Sequence, residues 1–313
     1  MQCLGNTMEP KEQRKPGFLK NQSFTIVLLV IIVCLWALSA SMGYEESEDL
    51  PEIHALITIT LIIVGFSAGL LGGLIGTGGC SVMLPILHFW LGYPAPVAIG
   101  TTLFAVIFTA TSGGYGHLVR RNLDRRVTLL LSAGGIFGVV LGSWLFTFLT
   151  DDVALLGLLL GLAFLLPAIR MIVEGGLRKA PGKQGNKISG SKHTLVSFGA
   201  AIGVLTGVVG LGGGYALVPG LIYLFGAPVY VTMGTSLATM IPLALVGGGI
   251  KLAEGWVAVY AGLLLAGGTV VGAQVGAAVI KRFKPGTLKL IFGIYFLYVS
   301  IKFITSYFGI AIW

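Results

Sequence analysis

The chain has 313 residues, of which 55% are hydrophobic and 10% charged, with a formal net charge of +8; its mean hydropathy is +0.93. Soluble domains carry roughly 25% charged residues, so this chain cannot cover a water-facing surface, and a soluble enzyme or a disordered regulator is excluded. The building unit is instead the spanning helix of about 20 apolar residues, which makes the fold class an all-α integral membrane protein.

Residues 1–22 form a basic tail carrying Lys11, Arg14, Lys15 and Lys20. The apolar run from Phe24 to Ala40 is longer than the ~7–15 residue core of a signal peptide, so 23–43 reads as an extra N-terminal transmembrane helix. Further apolar runs fall near 53–77, 80–91, 97–118, 127–149, 153–173, 194–212, 214–225, 229–250, 256–280 and 287–309. Two of these, 80–91 and 214–225, are too short to cross a ~30 Å core. Each directly follows a glycine cluster, which predicts a broken helix or a re-entrant segment.

Loop charge predicts orientation through the positive-inside rule. The tail, Arg120 to Arg126, the 174–193 linker and the Lys281/Arg282/Lys284 turn are basic, and all are placed inside. The acidic loop from Glu45 to Glu52 and the Asp151/Asp152 turn are placed outside, so the N-terminus is inside and the C-terminus outside. The location expected is the cell (cytoplasmic or inner) membrane, crossed several times.

The two halves repeat at an offset of 134 residues. Gly76-Thr-Gly-Gly-Cys-Ser-Val-Met-Leu-Pro85 aligns with Gly210-Leu-Gly-Gly-Gly-Tyr-Ala-Leu-Val-Pro219. Gly92/Pro94 falls on Gly226/Pro228, Gly100-Thr101-Thr102 on Gly234-Thr235-Ser236, and Gly134, Gly138 and Gly142 on Gly268, Gly272 and Gly276. The chain therefore divides into repeat 1 (53–173), a cytoplasmic linker (174–193) and repeat 2 (194–313). The copies begin on opposite sides, which predicts an inverted-topology repeat with breaks at matching places. That pattern marks secondary transporters, whose substrate lies near the midplane.

Glycine runs break helices and free backbone amides, and in hydrocarbon such backbone survives only in protein or beside a cavity. The start of each short helix then offers N–H donors and partial positive charge to an anion. The hydroxyl pairs Thr101/Thr102 and Thr235/Ser236 either cap helices or donate to the same anion. Candidate substrate-binding residues are thus Gly78, Gly79, Thr101, Thr102, Gly212, Gly213, Gly214, Thr235 and Ser236. The four-residue glycine ladders read as helix-packing faces. His88 and His117 read as structural, and Lys251 with Glu254 as a mark of the outer boundary. No nucleotide, zinc or nucleophile motif occurs, so no catalytic residue, metal or cofactor is expected.

The doubled pattern G-x-x-G-x-G-G-(G)-x-x-x-x-P, L-G-x-P, G-T-[ST] resembles the sulfite exporter TauE/SafE family over roughly residues 55–310. The resemblance implies a transporter, not an enzyme, for sulfite or an organosulfonate such as sulfoacetate. It maps onto Gly76, Gly78, Gly79, Pro85, Thr101 and Thr102, and onto Gly210, Gly212, Gly213, Gly214, Pro219, Thr235 and Ser236. Cys80 departs from the third glycine and Thr102 from the usual serine. Expected partners are a small sulfur oxyanion or sulfonate, the lipid bilayer, protons as coupling ion and a homodimer mate, with no nucleic acid. Import of sulfonate or thiosulfate-like anions, and a non-transporting membrane scaffold, are the competing readings.

Overall fold

The structure is a computed structural model that describes residues 18–41, 50–150, 152–176, 188–210, 212–279 and 285–309. Among these are eleven α-helices and one π-helical turn. They are α1 (Phe18–Ser41), α2 (Ala55–Ile75), α3 (Cys80–Pro85) running into the π turn (Ile86–Trp90), α4 (Ala95–Val119), α5 (Arg125–Leu149), α6 (Val153–Gly176), α7 (Lys192–Val209), α8 (Gly214–Tyr223), α9 (Val229–Ala253), α10 (Val259–Val279) and α11 (Pro285–Tyr307). No strand occurs among the described residues. Among the described residues seven helices are long and apolar enough to cross a membrane: α1, α2, α4, α5, α7, α9 and α10. Residues 1–17 of the basic tail, the acidic residues at 45–49 and the basic residues at 178–187 and 281–284 lie outside the described residues; residues 18–22 of the tail belong to α1.

Local chemistry sets the helix starts. Asp124 accepts from Val127 N at 3.2 Å to open α5, and Ser191 accepts from Thr194 N at 3.1 Å to open α7. Such side-chain acceptors satisfy amides that the helix itself leaves unpaired. Pro94 and Pro228 hold the chain extended just before α4 and α9, at ψ 143° and 137°.

Packing joins helices far apart in sequence. α2 lies along α10, α5 along α7, α6 along α11, and α4 crosses α9. A shift of 134 residues carries the α2–α10 pair onto the α7–α5 pair. The glycine ladder Gly65/Gly69/Gly73 lies on the backbone of Leu265, Thr269 and Ala273; Gly199/Gly203/Gly207 lies on Leu131, Gly135 and Val139. A Cβ at any of these glycines would overlap facing backbone, so only glycine allows the approach. Close backbone approach over small residues is one source of helix association in lipid, beside interhelical hydrogen bonds and lipid entropy.

The core centres on Val106 and Met240, both fully buried. The outward faces are apolar, with Leu129, Phe137 and Trp144 of α5 all exposed, as a lipid-facing surface requires. α1 packs on α10 and α4 and stacks Phe24 on Tyr115 at 3.9 Å, but most of its surface stays exposed.

Candidate functional site

Both glycine clusters form tight left-handed turns. Gly76, Gly78 and Gly79 have φ of 82°, 75° and 79°, and Gly210, Gly212 and Gly213 have 68°, 66° and 76°. An L side chain pays roughly 1–2 kcal/mol to adopt such angles, which explains three glycines at matching places. Gly79 packs on Ala68 of α2, and Gly213 packs on Ile202 and Thr206 of α7. Each glycine turn is thus seated on the helix before it, and a short helix, α3 or α8, starts from it.

The two turns meet. Gly78 and Gly212 both abut the Met240 methyl and Val106 Cγ1, and Gly214 abuts the Thr77 backbone and Met240 Sδ. Val106 and Met240 occupy the middles of the 25-residue helices α4 and α9, so the turns converge at the centre of the bundle. The short helices' own ladders start with Val82 and Met83 donating to Gly79 O, and Ala216 and Leu217 donating to Gly213 O. The amides at 80–81 and 214–215 precede those bonds, as the first amides of any helix do.

The hydroxyls are distributed differently. Thr101 Oγ1 accepts from Ala258 N at 2.9 Å, and Thr235 Oγ1 accepts from Asp124 N at 3.0 Å. These bonds are equivalent at the 134-residue offset, and each holds the start of a helix distant in sequence, α10 and α5. Thr102 donates back to Ala98 O and Ile99 O. Ser236 donates to Gly76 O at 2.8 Å. The pairs lie on opposite sides of the bundle's midpoint, each about five residues or ~8 Å of helix from it. The structure thus brings Gly78, Gly79 and Gly212–Gly214 together at the centre, with Ser236 touching one turn, but it does not gather the four hydroxyls at one point.

The other singled-out residues have structural partners. His117 Nε2 donates to Gly73 O at 3.0 Å, and His88 Nδ1 donates to Tyr93 O at 2.9 Å. Cys80 is buried, with its thiol 3.9 Å from Thr77 O. Lys251 is fully buried near the end of α9: its Nζ lies 3.2 Å from the Phe146 ring centroid and 3.8 Å from Glu254. Lys302 Nζ lies 4.6 Å from the Phe89 ring centroid. No cluster of three metal-ligating side chains occurs among the described residues.

One feature went unforeseen. A cavity runs between the ends of α6 and α8 and the start of α9, reaching Thr77 and Tyr215 at the two breaks. Arg170 and Glu174 line it. The Arg170 guanidinium lies 3.4 Å from the Tyr223 ring centroid, and its Nε donates to Glu174 Oε1 at 3.1 Å. The signal in the sequence was a lone charge inside the apolar run 153–173 with an opposite charge four residues on; an ionisable residue in such a run is a functional candidate by default.

The profile of the family described as Sulfite exporter TauE/SafE matches residues 61–303. The probable membrane transporter protein YdhB of Bacillus subtilis (strain 168) is 31% identical over 218 residues, covering 69% of this chain and 88% of that protein. Another from the same organism, YunE, is 27% identical over 264 residues, covering 79% and 97%. Sulfite exporter TauE/SafE family protein 6 of Arabidopsis thaliana is 29% identical over 119 residues, covering 36% and 28%. No solved structure matches the chain. The glycine turns, the short helices that follow them and these similarities agree: the chain belongs to the sulfite exporter TauE/SafE family, and is a multi-pass membrane transporter rather than an enzyme.

Proposed function

We propose that the protein is a secondary transporter that exports a small sulfur-containing anion, sulfite or an organosulfonate such as sulfoacetate, across the cytoplasmic membrane by alternating access. The observation that carries this reading is the convergence of two left-handed glycine turns against the middles of α4 and α9. Amides at helix starts are natural donors to oxyanions, and here two such starts point to one buried place.

In this reading Gly78, Gly79, Gly212, Gly213 and Gly214 present backbone to the anion at the midplane. Thr101/Thr102 and Thr235/Ser236 form one station on each side, met in turn as the anion passes. The copies, 53–173 and 194–313, are an inverted repeat, with N-terminus inside and C-terminus outside. Their cross-packing changes what moves. α2 and α10 are locked by glycine contacts, as are α5 and α7, so the rocking bodies mix the copies: α2, α4 and α10 against α5, α7 and α9. They meet chiefly at the α4–α9 crossing, where Val106 and Met240 close the path, and Ser236 of α9 also bonds Gly76 at the end of α2. The anion leaves down its electrochemical gradient, which an inside-negative potential favours, or together with a proton.

Flux from proteoliposomes tests this. Sulfite or sulfoacetate should leave far faster than sulfate or chloride. Flux that follows an imposed potential identifies simple anion exit, and flux that follows an imposed pH gradient identifies proton coupling. Equal leakage of all four anions, or none, would sink the proposal.

A further inference from the structure

The cavity beside Arg170 has walls that a bare inorganic oxyanion would not need. Ile75, Val218, Ile222, Met233 and Phe296 make most of it apolar, and Arg170 is the one cation among the described residues that line it. Moving a fully hydrated sulfite along such walls would strip water and give little in return. An anion with a hydrocarbon body gains from the same walls, at about fourfold in affinity per buried methylene.

The cation is also prepared. Glu174 holds Nε at 3.1 Å and the Tyr223 ring lies under the guanidinium at 3.4 Å. The ion pair engages the Nε edge, so the two Nη nitrogens remain as further donors, in the fork that suits two oxygens of one oxyanion. Arg170 is half exposed, which lets a ligand reach it. The cavity continues from this fork to Thr77 and Tyr215 at the glycine turns, so a ligand held here is already on the way to the centre. Glu174 repels any anion, which weakens binding of small ions that have nothing else to offer.

We propose that this cavity is a binding site for an organic anion, an oxyanion head joined to a short apolar body, with Arg170 holding the head and the α8 and α9 walls holding the body. The proposal rests on the transport reading above and narrows its substrate from bare sulfite to the organosulfonate class. In the orientation proposed there, the site is the cytoplasmic loading point.

The test is binding to the purified, lipid-stripped full chain, followed by calorimetry. The ligands are sulfite, methanesulfonate, butanesulfonate and hexanesulfonate, with phosphatidylglycerol in a separate arm. Affinity should rise about fourfold per methylene. Arg170→Gln should weaken butanesulfonate tenfold or more, Arg170→Lys less, and Glu174→Gln should tighten it. A flat response to chain length, or an Arg170→Gln protein that binds like wild type, would overturn the proposal. So would binding of phosphatidylglycerol alone, which would make this a lipid site. Should Arg170→Gln fail to fold, the chain-length series and Glu174→Gln still decide. Sulfite flux without sulfonate binding would remove this site and leave the transport reading; sulfonate binding without any flux would do the reverse.

Discussion

Ser236 donates to the carbonyl of Gly76 at 2.8 Å, across 160 residues of sequence. The start of α9 thus grips the first glycine turn. Both groups are buried, so Ser236→Ala leaves a carbonyl unpaired. The expected cost is about 1–3 kcal/mol, seen as a lower unfolding temperature, together with slower flux in proteoliposomes. A variant as stable and as active as wild type would show that the bond positions nothing.

Gly100 and Gly234 abut the carbonyls of Trp256 and Asn122 so closely that a methyl cannot fit. Gly234→Ala should therefore give little folded protein by size-exclusion chromatography. Gly249 has nothing within 4 Å of its Cβ position. Gly249→Ala should fold normally and gain up to about 1 kcal/mol from helix propensity. The contrast separates contact from a general intolerance of α9 to alanine.

Met240 fills the centre between Gly78 and Gly212. Met240→Ala should keep the fold at a cost of about 2–5 kcal/mol for the lost side chain and widen the path. Larger or unrelated anions should then leak from proteoliposomes that exclude them with wild type. Unchanged selectivity would place the constriction elsewhere.

Lys251 is fully buried, with Glu254 at 3.8 Å and the Phe146 ring at 3.2 Å. Replacing the ammonium with an apolar side chain of similar length removes its desolvation cost as well as its attraction. Lys251→Met should unfold at or above the wild-type temperature. Glu254→Gln leaves the buried cation without its carboxylate and should cost about 1–3 kcal/mol, discounted because Glu254 is partly exposed. The reverse order would show that the charge itself holds the end of α9.

The architecture was legible because glycine is the one residue whose placement is dictated by backbone. Gly76, Gly78 and Gly79 recur at 210, 212 and 213 since only glycine takes those left-handed angles without strain. The two short helices, α3 and α8, followed from the length of their apolar runs and the glycine clusters before them. The hydroxyls were harder: Thr101 and Thr235 each bond a distant amide, at Ala258 and Asp124, and no local pattern announces a partner more than a hundred residues away. The burial of Lys251 was not legible because its shelter, Phe146, belongs to α5. Arg170 was hidden by the apolar run around it, although its pairing with Glu174 is a simple helical spacing.

The pairing of α2 with α10 has a consequence for biosynthesis. The face bearing Gly65, Gly69 and Gly73 is covered by Leu265, Thr269 and Ala273, which leave the ribosome some two hundred residues later. Until then α2 stands in lipid with its tightest contact surface bare. The first half cannot complete its tertiary structure during translation, and a chain halted at the linker should be held by the insertion machinery or degraded. Nascent chains of increasing length, probed by protease or cross-linking at Gly69, should change state only once α10 has entered the membrane.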